Sequence, residues 1–323
     1  MTLETEAILD RRRLKRSISV WRILAIVAGA VALLAVIIPT ASPSGGWLPT
    51  KQIARVEISG LITEDRDLLT LLKRLAKDKS VEAVIVSVNS PGGTTVGGEA
   101  VFEALRELAK TKPVVAVFGT IATSAAYIVG LATDRIVARG NTITGSVGVI
   151  FQWAEVSQLL EKLGVKMHEI KSGALKANPS MFQPLDPAGR KIAEQMVQES
   201  QRWFLGLVKS RRGIDAAAVP GLQEGRVFSG REALGHKLID EIGSEAEAIR
   251  WLEEKRGVTK SLKIVDRKAK RAAQWSWLRG ATAYLLSLLG PAGERIAQFL
   301  VDERGWGLTR LDGLLSVWQP TEN

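Results

Sequence analysis

From Val20 to Ile38 the chain reads VWRILAIVAGAVALLAVII, apolar throughout apart from Arg22. At about 1.5 Å per residue, a helix of that length matches a hydrocarbon core of roughly 30 Å. A helix buried in a globular core is rarely apolar all round at a terminus. A cleaved signal peptide has a shorter apolar region and a small-residue cleavage site, and PTASPS is a poor one. The segment therefore reads as a retained single-pass anchor. Arg11, Arg12, Arg13, Lys15 and Arg16 precede it. By the positive-inside rule, residues 1–19 lie in the cytoplasm and everything after Pro39 lies across the membrane. This predicts a cell (inner) membrane protein whose main domain faces the periplasmic, extracytoplasmic side. Residues 39–50 read as a linker, with Trp47 at the lipid interface.

Charge and composition narrow the chemistry. The formal net charge of +10 raises the question of nucleic acid or an anionic membrane surface. Its distribution favours the membrane, because RRRLKR (Arg11 to Arg16) and KIVDRKAKR (Lys263 to Arg271) each precede an apolar, Trp-containing segment. No aromatic-interleaved basic groove or zinc-finger spacing appears, so no nucleic-acid partner is expected. The chain has no cysteine, which excludes a thiolate nucleophile, a disulfide framework and any Cys-based metal site. Its two histidines, His168 and His236, make a histidine metal centre improbable, and neither sits in a motif with an aspartate. Neither a metal nor an organic cofactor is implied.

Beyond the linker, strand and helix patterns alternate. IARVEISG (Ile53 to Gly60), VEAVIVSV (Val81 to Val88), PVVAVFG (Pro113 to Gly119), RIVAR (Arg135 to Arg139) and KMHEIKS (Lys166 to Ser172) read as strands, by alternation or by short apolar runs. RDLLTLLKRLAKD (Arg66 to Asp78) and the stretches Val101 to Lys110, Ala154 to Leu163 and Pro187 to Arg212 have helical spacing. TITGSVGVI lies between the fourth strand and the third of these helices. Strands alternating with helices predict βαβ units around a sheet buried on both faces.

Two loops follow neighbouring strands, where reacting groups gather in such sheets. One is NSPGG (Asn89 to Gly93) and the other is GTIATS (Gly119 to Ser124). Glycines let backbone N–H groups approach a ligand, and a helix opening at Ser124 aims its free N–H groups at the same spot. That is the composition of an oxyanion hole beside a hydroxyl. Ser124 is then either a helix cap or a nucleophile. Without a useful histidine, a nucleophilic serine needs another base, and lysine serves in known triad variants. Burial among apolar groups disfavours the charged form of a lysine, which suits it to the role. IKSGALKANPSMFQPL (Ile170 to Leu185) supplies Lys171 and Lys176, and spacing alone does not choose between them.

VSVNSPGG, GTIATSAAYIVGLATDRIVA, TGSVGVI, IKSGALKANPSMFQPL and EGRVFSGREALGHKLIDEIG occur in an order and spacing that resembles the signal peptide peptidase A family. These are membrane-anchored serine proteases of the S49 type with a crotonase- and Clp-protease-like fold. The resemblance covers about Lys51 to Leu252 and the anchor, in the short, single-domain form. It implies an α/β core of repeated ββα units, with Ser124 as nucleophile and Lys176, not Lys171, as general base. It matches Gly92 and Gly93 to the oxyanion-hole loop, with the Ala125 N–H as second donor, and Ser146 to a structural turn. It also implies apolar peptide substrates, remnant signal peptides among them, and a closed homo-oligomer in which serine and lysine meet across a subunit boundary. One departure stands out: many relatives carry two glycines after the serine, where this chain has Ala125 and Ala126. Those methyl groups would narrow the cleft or change the preferred substrate residue.

The expected organisation is residues 1–19 as a basic cytoplasmic segment, 20–38 as the anchor, 39–50 as linker, 51–262 as the Ser–Lys protease domain and 263–323 as a tail. The tail contains WSWLRGATAYLLSLLG (Trp275 to Gly290), suited to the membrane interface or to a neighbouring subunit. It also contains LTRLDGLLSVWQP (Leu308 to Pro320), which has the look of a docking peptide. Two rival functions remain at this level: a crotonase-type acyl-CoA enzyme, and an inactive homologue that binds peptides at the membrane.

Overall fold

The computed structural model describes residues 21–29, 50–269 and, for the backbone, 315–317. The chain divides into two units, residues 1–50 and 51–323. In the first, residues 21–29 are helical, with Trp21, Ile23, Leu24, Ile26 and Val27 exposed. The rest of the expected anchor lies outside the described residues, as does the stretch Trp275 to Gly290. Among the described residues, no helix is long and apolar enough to cross a membrane.

The second unit is a mixed α/β sheet. Its order of elements is β1 (Gln52–Ile62), α1 (Arg66–Lys77), β2 (Val81–Thr94), α2 (Thr95–Ala109), β3 (Val114–Thr123), α3 (Ala125–Leu131), β4 (Arg135–Ala138) and β5 (Ile143–Gly145). Then follow α4 (Ser157–Lys162), α5 (Pro187–Arg212), β6 (Val227–Ser229), α6 (Gly230–Gly235), β7 (Glu241–Ile242), α7 (Glu245–Arg256), β8 (Lys263–Asp266) and β9 (Leu315–Val317). The main path through the sheet is β6-β5-β3-β2-β1-β8. Strands β8, β1, β2 and β3 pair in parallel, so helical crossovers must connect them.

Period-two alternation sorts the strand residues between two cores. Ile53, Ala83, Ile85, Val115 and Val137 face Ala248 and Leu252 of α7. Their neighbours Ala54, Val84, Val86, Val114 and Ala116 face the other way, against Leu72 of α1, Leu105 of α2, Ile128 of α3 and Phe204 of α5. All of these residues are buried, which accounts for the near-continuous apolar runs of β2 and β3. Capping sets the helix limits. Asp65 accepts from the N–H groups of Asp67 and Leu68, Ser244 and Glu247 form a reciprocal capping box, and Gly213 ends α5 at φ 67°.

Strand β3 serves two partners in turn. Val115 to Phe118 pair with β4, and Ile121 to Thr123 pair with β5. The sheet forks at Gly119–Thr120, and the far prong carries the chain to Ser124.

Two local expectations need correction. KMHEIKS is not a strand: residues 165–170 have no regular structure, and Met167 and Ile170 are exposed. Alternation alone makes no strand where no sheet edge offers hydrogen bonds. Helix α2 begins at Thr95, earlier than spacing indicates; Gly97 and Gly98 near its start disfavour a helix intrinsically and so hide that start in the sequence. Close packing explains both: a Cβ on Gly97 would meet the Thr63 backbone at 2.7 Å, and one on Gly98 would meet Ala125 Cβ at 3.2 Å.

Candidate active site

Ser124 follows the last residue of β3 and precedes the first residue of α3. It occupies the N-cap position but does not behave as a cap. Its φ and ψ are 58° and −119°, and its side chain makes no capping hydrogen bond. An ordinary cap has extended backbone and a side chain that accepts from the first turn. A non-glycine residue at such a φ costs on the order of 1–3 kcal/mol and persists only where its surroundings over-determine it.

Those surroundings are specific. The Ser124 N–H donates to Gly145 O at 2.8 Å, and Ser124 O accepts from the N–H groups of Tyr127 and Ile128 at 2.9 and 3.0 Å. On the preceding strand, Thr123 Oγ1 donates to Pro91 O at 3.0 Å, and Thr144 Oγ1 donates to Ala122 O at 2.7 Å. On the following helix, the buried Tyr127 hydroxyl donates to Leu238 O at 2.8 Å. Burial pushes that phenol up from its ordinary value, so it stays a donor. Thr123, Thr144 and Tyr127 are positioning residues that no sequence signal identified, because each acts through a backbone carbonyl distant in the chain.

The Thr123–Pro91 bond and the Ser90–Ala122 pairing bring the NSPGG loop beside this turn. Gly92 has φ 117°, open to glycine but strained for other residues. A Cβ on Gly93 would lie 1.8 Å from Ile62 O, so only glycine fits there. The Gly92 N–H donates to Ser90 Oγ at 3.0 Å. Ala125 stands at the first helical position, where an N–H has no intrahelical acceptor. Ala125 and Ala126 are both fully buried. The Ala125 methyl packs towards Gly98 of α2, so α2 supplies the space that a glycine after the serine would otherwise provide. Ser146 sits in a turn at φ 51° with its N–H donated to Arg226 O at 2.9 Å.

Ser124, Gly92, Gly93 and Ala125 thus come together, whereas Lys176 belongs to a separate, exposed loop. Ser124 is 1% exposed. Lys176 is exposed, and its described hydrogen bond runs from its own N–H to Gly173 O within that loop. The loop is tied to the start of α5, where Asn178 Nδ2 donates to Asp186 Oδ2 at 3.0 Å and Gly189 leaves room for the Asn178 amide. Lys171 is engaged otherwise, with its Nζ 2.7 Å from Glu169 Oε2. Of the histidines, His236 packs edge-on against Phe228 and His168 is exposed. Among the described residues, no group of acidic or histidine side chains is placed to hold a metal ion.

Comparison with known proteins identifies the family. Peptidase family S49 matches residues 106–259, a span that contains both Ser124 and Lys176. A Synechocystis sp. protein named "Putative protease slr0021" is 34% identical over 203 residues, which is 62% of this chain and 73% of that protein. An Enterococcus faecium protein named "Putative signal peptide peptidase SppA" is 31% identical over 263 residues, 76% of each chain. "Serine protease SPPA, chloroplastic" of Arabidopsis thaliana is 28% identical over 207 residues, 64% of this chain and 30% of that longer one. With this extent of identity to proteases, across most of their length in the first two cases, the chain belongs to peptidase family S49.

Proposed function

We propose that the chain is a membrane-anchored serine endopeptidase in which Ser124 is the nucleophile and Lys176 the general base. The observation that carries this reading is the Ser124 backbone, held at φ 58° at a strand-to-helix turn with its side chain not used as a cap. Strain of that kind recurs where a hydroxyl must be presented to a substrate. The neutral Lys176 amine takes the Ser124 proton as Oγ attacks the peptide carbonyl. The N–H groups of Gly93 and Ala125 stabilise the oxyanion, while Gly92 shapes the loop with its own N–H on Ser90. Lys176 then protonates the leaving amine, and water, activated by the same lysine, releases the acyl group from Ser124.

Lys176 reaches Ser124, on this reading, across a subunit boundary. Within a protomer one of the two is buried and the other exposed. The surface of the lysine segment points the same way: Leu159, Leu163, Val165, Met167, Ile170, Leu175, Met181 and Met196 are all exposed between residues 159 and 196. An apolar surface of that extent calls for a partner. A closed homo-oligomer of heterologous contacts covers it and surrounds the lysine with apolar groups, which favours its neutral form. The core then belongs to the crotonase- and Clp-like class of repeated ββα units.

Residues 20–38 anchor the chain in the inner membrane with residues 1–19 cytoplasmic, 39–50 as linker and the 51–262 catalytic domain outside the cytoplasm. Substrates in keeping with that position are remnant signal peptides and other apolar, unfolded segments. The test of the shared site is complementation. Ser124→Ala and Lys176→Ala proteins, each inactive alone, are co-expressed and assayed on a signal-peptide substrate. Partial return of activity is expected, and a dead mixture with demonstrated co-assembly rules the shared site out.

A further inference from the structure

Strand pairing does not set the Gly92 peptide by itself, because both parallel ladders of β2 slip just before it. Against β1, Ser59 pairs with Asn89 and Leu61 with Gly92, so Ser90 and Pro91 together stand opposite Gly60. Against β3, Val88 pairs with Phe118 and Ser90 with Ala122, so the stretch Gly119 to Ile121 stands opposite Asn89. Pro91 has no N–H to give to either neighbour. Gly92, which follows, has φ 117° and no side chain to restrict its backbone.

Side chains supply the order that the ladders lose. Asn89 Oδ1 accepts from the Ile121 N–H at 3.3 Å, and Thr123 Oγ1 donates to Pro91 O at 3.0 Å. The Ser90 hydroxyl holds both polar groups of Gly92. It accepts from the Gly92 N–H at 3.0 Å and donates to Gly92 O at 3.2 Å. Accepting from the N–H two residues on is a turn that serine forms readily. The donation to the carbonyl is additional, and it fixes the peptide that follows. Ser90 is fully buried, so bulk water does not compete for its hydroxyl.

Gly92 O and the Gly93 N–H belong to one trans peptide, in which the C=O and N–H bonds point in opposite directions. Holding Gly92 O against Ser90 therefore turns the Gly93 N–H away from Ser90. Rotating that peptide would break the Ser90 bond and withdraw the Gly93 N–H together. Resting on the reading of Ser124 as nucleophile and Gly93 as an oxyanion donor, we propose that Ser90 is a positioning residue whose hydroxyl aims the Gly93 N–H at the oxyanion. It acts through the Gly92 peptide. A donor fixed in advance needs no reorientation when charge develops on the carbonyl oxygen. The benefit then falls on the transition state and not on the binding of substrate.

The test separates transition-state from ground-state effects. Full-length wild type, Ser90→Ala and Ser90→Cys are assayed on a synthetic signal peptide. Each is also titrated with a peptide boronate, whose tetrahedral adduct on Ser124 places an oxygen where the oxyanion forms. The uncleaved signal peptide is titrated against Ser124→Ala and against the same protein carrying Ser90→Ala as well. Ser90→Ala should lower kcat and boronate affinity by about a hundredfold, the scale of one oxyanion donor, with KM and peptide affinity unchanged. Ser90→Cys, close in shape but a weaker donor, should lie between Ser90→Ala and wild type. A merely structural role would weaken peptide binding in step with kcat. That result overturns the proposal, as do wild-type kinetics in Ser90→Ala or a Ser90→Cys no better than Ser90→Ala. Failure of the nucleophile reading looks different: wild type would neither label at Ser124 with a fluorophosphonate nor bind the boronate, and the role of Ser90 would fall with it.

Discussion

The Ser124 N–H donates to the Gly145 carbonyl at 2.8 Å, tying the start of α3 to the end of β5. Because β5 pairs with the last residues of β3, this bond closes a loop of backbone contacts around one serine. It helps to fix Ser124 at positive φ and commits the Ser124 N–H to a backbone carbonyl.

The strain at Ser124 predicts opposite effects of glycine on stability and on activity. At an ordinary cap, Ser to Gly loses a few tenths of a kcal/mol. Here, relief of positive φ is expected to raise stability by about 1 kcal/mol in Ser124→Gly, while hydrolysis is abolished. Thermal unfolding of the variant beside wild type measures this. A lower melting temperature for Ser124→Gly would identify Ser124 as an ordinary cap.

Gly93→Ala tests the loop. The added methyl would fall 1.8 Å from Ile62 O, which cannot be relieved without shifting the β1–β2 pairing. Loss of more than about 2 kcal/mol of stability and of nearly all activity is expected, as for other severe backbone clashes. Wild-type behaviour of this variant would mean that the loop does not hold the described geometry.

Tyr127→Phe separates positioning from packing. The phenol is fully buried and donates to Leu238 O at 2.8 Å, so its removal leaves that carbonyl without its described donor. A cost of about 1–3 kcal/mol is expected. Because Tyr127 anchors α3 just after Ser124, kcat should fall while KM changes little. An unchanged kcat would detach Tyr127 from the alignment of the serine.

The strand clasp at β8 makes a pH prediction. Arg55 bridges Asp266 at 2.5 Å and Glu245 at 3.1 Å, and the hydrogen bond from Arg55 holds the Asp266 carboxyl below its ordinary range. A carboxyl whose folded value is depressed adds stability above its unfolded value, about 4, and loses it as pH falls through the lower folded value. Wild type should therefore be more stable than Asp266→Asn at pH 6, with the gap closing as pH drops below about 4. Thermal midpoints across that range decide the point, and a gap independent of pH would contradict it.

The fold and the site were legible in the sequence to different degrees. Helix α5 appears at Pro187–Arg212 as expected, because a proline opens it and a glycine closes it. Strands β2 and β3 announce themselves by apolar runs that need burial on both faces. The extensions to Thr94 and Thr123 were not legible, since glycine-rich stretches carry no strand propensity and pair only because neighbouring strands hold them. At the site, Ser124 and the glycine loop stood out through position and type. The Ser124 conformation did not, because it depends on Gly145, Pro91 and Leu238, each of which enters through a backbone atom. The lysine segment shows the converse: its motif is plain, but several of its apolar residues are exposed among the described residues.

The Ser124–Lys176 pairing itself is tested most directly by the rate and place of fluorophosphonate labelling, with the adduct located by peptide mass spectrometry. Wild type and Lys171→Ala should label at Ser124 at similar rates, since Lys171 is paired with Glu169. Lys176→Ala should label at least about a hundredfold more slowly, the scale on which a general base contributes. Labelling of Lys176→Ala at the wild-type rate, or an adduct on a serine other than Ser124, would contradict the account.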